Sequence, residues 1–370
     1  MKQGKYIALQ VATPLIAILF AVLLSTLVIL AIGKNPLQVW GTLLRFSLGR
    51  SDSIFAILFK STPLVFTGLA SAIAFRLNLF NIGVEGQYQM GAFCAALVGV
   101  FVHGLPAWIH LPLVIVAAMA GGMAWAALPA MLKVKRNVHE VISTIMLNYV
   151  AFSLIHYFIA DVFIDRTQTM GALNLGSPRV RMPLLLPSAR MPTVHGFFSL
   201  FGVEIPKHIY LNWMLLIGIA VAVILYIVIW KTPFGMELRA TAQNPGAAEA
   251  SGINSKAVMV KVFLISGAVA GLAGLSDLLT YFGYMDIDFP KGYGFEGIAV
   301  ALLGKNDPFA AILGALLFGF LDRGGEGLQA LARVPNEVLT ILQGIMILSI
   351  VVAYELLTRY IRTQRKREAQ

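Results

Sequence analysis

The chain has 370 residues, of which 58% are hydrophobic and only 12% charged, with a mean hydropathy of +0.79. Soluble globular domains run near ~25% charged, so the composition excludes a water-soluble domain and places the chain in a membrane. The net charge of +10 is read as cationic residues gathered in cytoplasmic loops, with no nucleic-acid polymer as partner. The single cysteine, Cys94 in GAFCAALVG, excludes a disulfide framework or a cysteine-based metal site.

Apolar runs broken by charge, Pro and Gly clusters predict an all-α polytopic membrane helix bundle of about ten spans, each needing ~20 apolar residues. In chain order they cover 7–32, 53–75, 79–103, 108–132, 138–163, 211–230, 257–281, 295–303, 309–321 and 337–357. The eighth and ninth are too short to cross unaided and read as re-entrant or broken. The first is longer than a signal-peptide core of roughly 7–15 residues and reads as an uncleaved span. The whole of 1–370 is expected to form one transmembrane permease domain.

Lys and Arg set the orientation. With both termini cytoplasmic, the inner side carries Lys133, Lys135, Arg136, Lys231, Arg239, Lys256 and the basic tail RYIRTQRKR. Residues 164–210 then form an external loop rich in proline (Pro178, Pro183, Pro187, Pro192, Pro206). It is too long for a bare connector and reads either as a surface for an outside partner or as a lid. Residues 232–256, TPFGMELRATAQNPGAAEASGINSK, form a polar cytoplasmic loop between two apolar runs.

Within that loop Glu237-Leu238-Arg239-Ala240 begins a short helix, and Asn244-Pro245-Gly246 is a turn. Ala247-Ala248-Glu249-Ala250 forms another helical turn closed by Gly252. So short a helix needs a surface to lie on, either a separate cytoplasmic protein or the chain's own helices.

Three further motifs carry polar groups into apolar surroundings. NIGVEGQ (Asn81 to Gln87) places Asn81, Glu85 and Gln87 where a membrane helix starts. Such residues usually face a bundle interior or a cavity, so the segment is either a broken helix beside a transport path or a packed turn that satisfies Glu85. In VHEVISTIMLN, Glu140, Ser143, Thr144 and Asn148 share a helix face, for interhelical hydrogen bonding or for lining a cavity. Its His139-Glu140 lacks the second histidine of a zinc HExxH. GYGFEG (Gly292 to Gly297), which contains Glu296, matches GxGxxG but lacks a preceding strand and reads as the start of a broken helix. Gly267 and Gly271 form a small-xxx-small step for close helix packing.

The sequence contains no G-x-x-x-x-G-K-[ST] phosphate loop and no G-x-S-x-G elbow. The chain is therefore expected to be no enzyme, with ATP hydrolysis on a partner chain, and to hold no catalytic residue, cofactor or metal.

FNIGVEGQYQMGAF, HEVISTIMLNY, TPFGMELRATAQNPGAAEASGI and FEGIAVALLGKNDPFAAILGALLFG together resemble the permease subunits of bacterial ABC importers. The branch is the ribose and branched-chain amino-acid permease family, and within it the nucleoside and simple-sugar members. The resemblance implies a multi-pass permease of the bacterial cytoplasmic (inner) membrane that translocates a nucleoside or simple sugar. It implies three partners besides the bilayer: an ATP-binding subunit, a second permease subunit, identical or different, and an extracytoplasmic solute-binding lipoprotein. The family's coupling helix maps onto Gly235, Glu237, Arg239, Asn244, Ala247, Ala248 and Gly252, with Arg239 and Glu249 as expected polar contacts to the ATPase. Candidates for the translocation path are Asn81, Glu85, Gln87, Asn148 and Glu296. The alternative is a secondary transporter driven by an ion gradient, with coupling sites around Glu85 and Glu296.

Overall fold

The computed structural model describes residues 19–50, 52–167 and 179–332, with isolated helical positions at 16 and between 340 and 359. Among the described residues the chain is helical, and its only bridges are Arg181 with Asp286 and Thr193 with Asn212. The helices are α1 (Leu19–Ala31), α2 (Pro36–Leu48), α3 (Ser53–Arg76), α4 (Val84–Phe101), α5 (Ala107–Arg136) and α6 (Glu140–Tyr157). There follow α7 (His195–Ser199), α8 (Met214–Lys231), α9 (Pro233–Gln243), α10 (Pro245–Ala250), α11 (Ser255–Gly271), α12 (Tyr293–Leu303) and α13 (Pro308–Ala332). Among the described residues five helices are long and apolar enough to cross a membrane: α3, α5, α6 with its π-helical extension to Val162, α8 and α13.

The helices depart from the sequence expectations where tertiary contacts override local signals. The expected short span 309–321 is the first half of α13, a 25-residue helix. Arg323, which looked like its end, stays helical because Asp52 (3.3 Å) and Glu326 (2.7 Å) neutralise it. The expected span 257–281 is interrupted: α11 stops at Gly271, and a π-helical turn, Asp277–Phe282, follows. Helix α4 begins at Val84, not 79, because Asn78 has a left-handed backbone (φ 56°) that turns the chain after α3. The expected span 337–357, the tail beyond 359, the start of the first span and part of the loop 164–210, including Pro178, lie outside the described residues.

The chain divides into two compact units, residues 58–316 and residues 1–57 with 317–370. In the larger unit, α4, α5 and α11 meet at glycines. A Cβ on Gly91 would lie 2.7 Å from the Gly271 carbonyl oxygen, and one on Gly267 would lie 2.5 Å from that of Gly122. Backbones this close leave no room for a side chain, which is the small-residue packing that membrane helices use where burial gives no hydrophobic advantage. In the smaller unit, Ile29, Val39, Leu43 and Leu328 form an apolar cluster. Beside it Ser47 donates to the Phe320 carbonyl (3.1 Å), and the Arg323 guanidinium stands 4.6 Å from the centre of the Phe46 ring.

Candidate functional site

The polar segment after α8 folds as two short helices joined by one residue. Thr232 ends α8 and starts α9: its Oγ1 donates to the Val228 carbonyl (2.6 Å) and accepts from the Gly235 amide (3.2 Å). Pro233 fills the first helical position, where a missing N–H costs nothing. Gly235 is buried against the last carbonyls of α8, Val228 and Ile229, so close that a Cβ there would clash with backbone. Asn244 closes α9 and caps α10, its Oδ1 accepting from the Ala247 amide (3.1 Å). Gly252 then adopts φ +85°. The Ile253 amide donates back to Ala248 (2.9 Å) and the Gly252 amide to Glu249 (3.0 Å), the paired bonds of a left-handed helix terminus.

The burial pattern separates two roles within this segment. Helix α9 buries Gly235, Leu238 and Thr241, and Glu237 and Arg239 are half-buried. Helix α10 buries only Ala248, and leaves Asn244, Ala247, Glu249 and Gly252 exposed. Arg239 turns towards its own chain: Nη1 donates to the Ile229 carbonyl, and its guanidinium lies 5.1 Å from the centre of the Trp230 ring. The two residues named as polar contacts thus differ, with Glu249 facing outward and Arg239 facing α8.

The polar groups of the NIGVEGQ segment meet in a buried network. Asn81 and Gln87 exchange a reciprocal pair of amide bonds, each 3.0 Å. Asn81 also donates to Ser266 Oγ (2.9 Å), which donates to the Ala70 carbonyl (2.7 Å). Asn148 accepts from the Gly86 amide (2.9 Å) and donates to the Ile82 carbonyl (3.1 Å), tying α6 to the start of α4. The Glu85 carboxylate accepts from the amides of Gly292 (2.7 Å) and Gly294 (2.8 Å). It therefore caps α12 from another helix, where Gly292 offers no capping side chain. Glu296 sits half-buried in the first turn of α12.

The face of α6 read from the sequence is also present. Glu140, Ser143, Thr144 and Asn148 are all buried, and Lys133 pairs with Glu140 at 2.8 Å. Between α4, α6 and the segment before α12 lies a cavity of about 140 Å³ lined by Gln89, Phe152, His156, Asp286, Phe289 and Lys291. Burial, with Asp288 nearby, raises the Asp286 carboxyl above its usual range, partly offset by Arg179.

Sequence reasoning missed several residues that organise this region. Trp230 is the last aromatic of an apolar run, and two arginines converge on it. Tyr88 and Gln89 both donate to the Pro290 carbonyl, at 2.5 and 2.7 Å, and read as ordinary helix positions. No local signal marks them, because their partners lie far along the chain.

Residues 53–351 match the family described as branched-chain amino acid transport system, permease component. The chain belongs to this family. It is thus the membrane component of an ABC transporter, with ATP hydrolysis on a separate subunit, and the reading of an ion-driven secondary transporter is set aside. Its relatives include the guanosine ABC transporter permease protein NupP of Bacillus subtilis, 36% identical over 92% of this chain and 93% of the relative. The glucose ABC transporter permease protein TsgB13 of Haloferax volcanii is 31% identical, covering 95% of this chain and 90% of its own length. The nucleoside ABC transporter permease protein NupB of Lactococcus lactis is also 31% identical, over 93% and 92%.

Proposed function

We propose that this permease carries a nucleoside inward across the bacterial cytoplasmic membrane, driven by an ATP-binding subunit that docks on α10. A simple sugar is the second solute class, favoured by the likeness to a glucose permease. The observation that carries the docking assignment is the exposure of α10: a six-residue helix, capped at both ends, buries only Ala248. An isolated helix of that length is not stable in water, so its shape is fixed by caps and its outer face is left for a partner. Glu249 is the charged group on that face. The segment 232–256 is cytoplasmic in this reading, the loop 164–210 faces outward, and both chain termini lie inside. A second permease chain completes the path, and a lipoprotein delivers the solute.

Asn81, Glu85, Gln87 and Asn148 serve the path by fixing the backbones of α4, α6 and α12, since their polar atoms are engaged with one another and with main chain. A ligand moves an equilibrium only through contacts that differ between two states. Nucleotide-driven closure of the ATPase supplies that difference at α10. The test is uptake of radiolabelled guanosine and glucose by proteoliposomes holding the permease, its partner permease, the ATPase and the lipoprotein. Scrambling Ala247–Gly252 should abolish ATP-dependent uptake while the chain still inserts. Unchanged uptake in that variant overturns the assignment.

A further inference from the structure

Three helices meet at one indole ring. Trp230 lies in the last turn of α8 and remains 42% exposed. The Arg76 guanidinium, from the last turn of α3, stands 4.9 Å from the ring centre, and that of Arg239, on α9, stands 5.1 Å from it. Arg76 continues the chain of contacts: its Nε donates to the Asn306 carbonyl (2.8 Å), and it pairs with Asp307 at 3.8 Å, in the turn between α12 and α13. Arg239 continues it the other way, donating to the Ile229 carbonyl. A separate bond also ties α3 to α9, from Asn78 Nδ2 after α3 to the Ala242 carbonyl near the end of α9 (3.1 Å).

We infer that the Arg76–Trp230–Arg239 cluster is the strap through which movement of α9 and α10 reaches the membrane helices. The inference rests on the ATP-driven reading above. Two like charges over one ring repel, and among the described residues only Asp307 forms an ion pair with either of them. The ring's negative face is what makes their approach favourable. Apolar packing alone would leave two guanidinium groups in mutual repulsion. Removing the quadrupole therefore loosens α9 from α3. Trp230, Arg76 and Arg239 act as positioning residues: none touches solute or nucleotide.

The experiment uses the complete reconstituted complex and compares Trp230→Leu, Trp230→Phe and Arg239→Gln with the wild type. The readouts are co-purification of the ATPase, its hydrolysis rate, and guanosine moved per ATP hydrolysed. The expected result is retained co-purification and hydrolysis, with guanosine per ATP falling at least fivefold in Trp230→Leu and Arg239→Gln. Trp230→Phe, which keeps an aromatic face, should retain most of the coupling. Equal ratios in Leu, Phe and wild type would overturn the strap. Should Trp230→Leu fail to insert, Arg239→Gln decides, because it leaves the ring in place; an unaltered ratio there overturns the strap. A wild-type complex that moves neither guanosine nor glucose with ATP would refute the transport assignment itself, and the strap with it. Wild-type transport with the ratio unaltered in the variants refutes the strap alone.

Discussion

Replacing Glu85 with alanine tests how much of this fold depends on one buried carboxylate. Its two oxygens accept from the amides of Gly292 and Gly294 at 2.7 and 2.8 Å. Hydrogen bonds to a charged group contribute about 1.5–3 kcal/mol each, and a buried donor left unpaired costs about 1–3 kcal/mol. The favourable field at the α12 N-terminus adds about 0.3–1 kcal/mol. These terms overlap, since losing the bond and stranding the donor are one event, so a loss of roughly 3–5 kcal/mol is expected. The site cannot close over the gap, because a Cβ on Gly294 would already lie 2.5 Å from the Glu85 Cα. With about 2.1 cal/mol/K of unfolding entropy per residue, a chain of 370 residues loses about 1.3 °C of Tm per kcal/mol, so Glu85→Ala should lower the Tm of the detergent-solubilised chain by at least about 4 °C. The assay is intrinsic tryptophan fluorescence during heating, with wild type and variant at equal concentration. A Tm within about 1 °C of wild type would refute the capping account, because about 3 kcal/mol cannot vanish within that shift.

Gly267→Leu should also destabilise the chain, by about 1–3 kcal/mol or more, because overpacking forces α11 away from α5; thermal unfolding in detergent measures it. Asn244→Ala removes the cap of α10, costs about 1 kcal/mol locally, and should reduce ATP-dependent uptake while leaving the chain in the membrane fraction. Asp286 gives a pH dependence of defined sign. Its folded carboxyl titrates above its unfolded value, so between the two values the folded state binds more protons than the unfolded state. Stability should therefore fall as pH rises through that window and stay lowered above it. Asp286→Asn should flatten that slope and be at least as stable as wild type at pH 7. A steeper slope in the variant would contradict the burial effect.

What could be read in the sequence was local chemistry. Asn244-Pro245-Gly246 and Gly252 carry their own turn preferences, and the structure caps α10 at those residues. Gly267 and Gly271 announced a close helix contact by spacing alone, though not that Gly91 and Gly122 would be their partners. Glu85 was legible as a polar residue needing a partner. That its partner is the start of α12 was not, since the bonded residues stand 207 apart in sequence. The length of α13 was hidden for the same reason. Arg323 looks like a boundary until Asp52, far upstream, neutralises it. Helix α9 begins at Pro233, before the expected Glu237, because Thr232 supplies a cap whose value depends on the end of α8.

The most direct test of coupling through α10 is the side of the membrane on which it lies. Glu249, exposed at the outer face of α10, can be replaced by cysteine in a Cys94→Ser background and treated with a membrane-impermeant maleimide. Inside-out vesicles should label and intact cells should not, and adding the purified ATP-binding subunit to those vesicles should protect the thiol. Labelling from the outside of intact cells would contradict the account, because no cytoplasmic ATPase could then reach this helix.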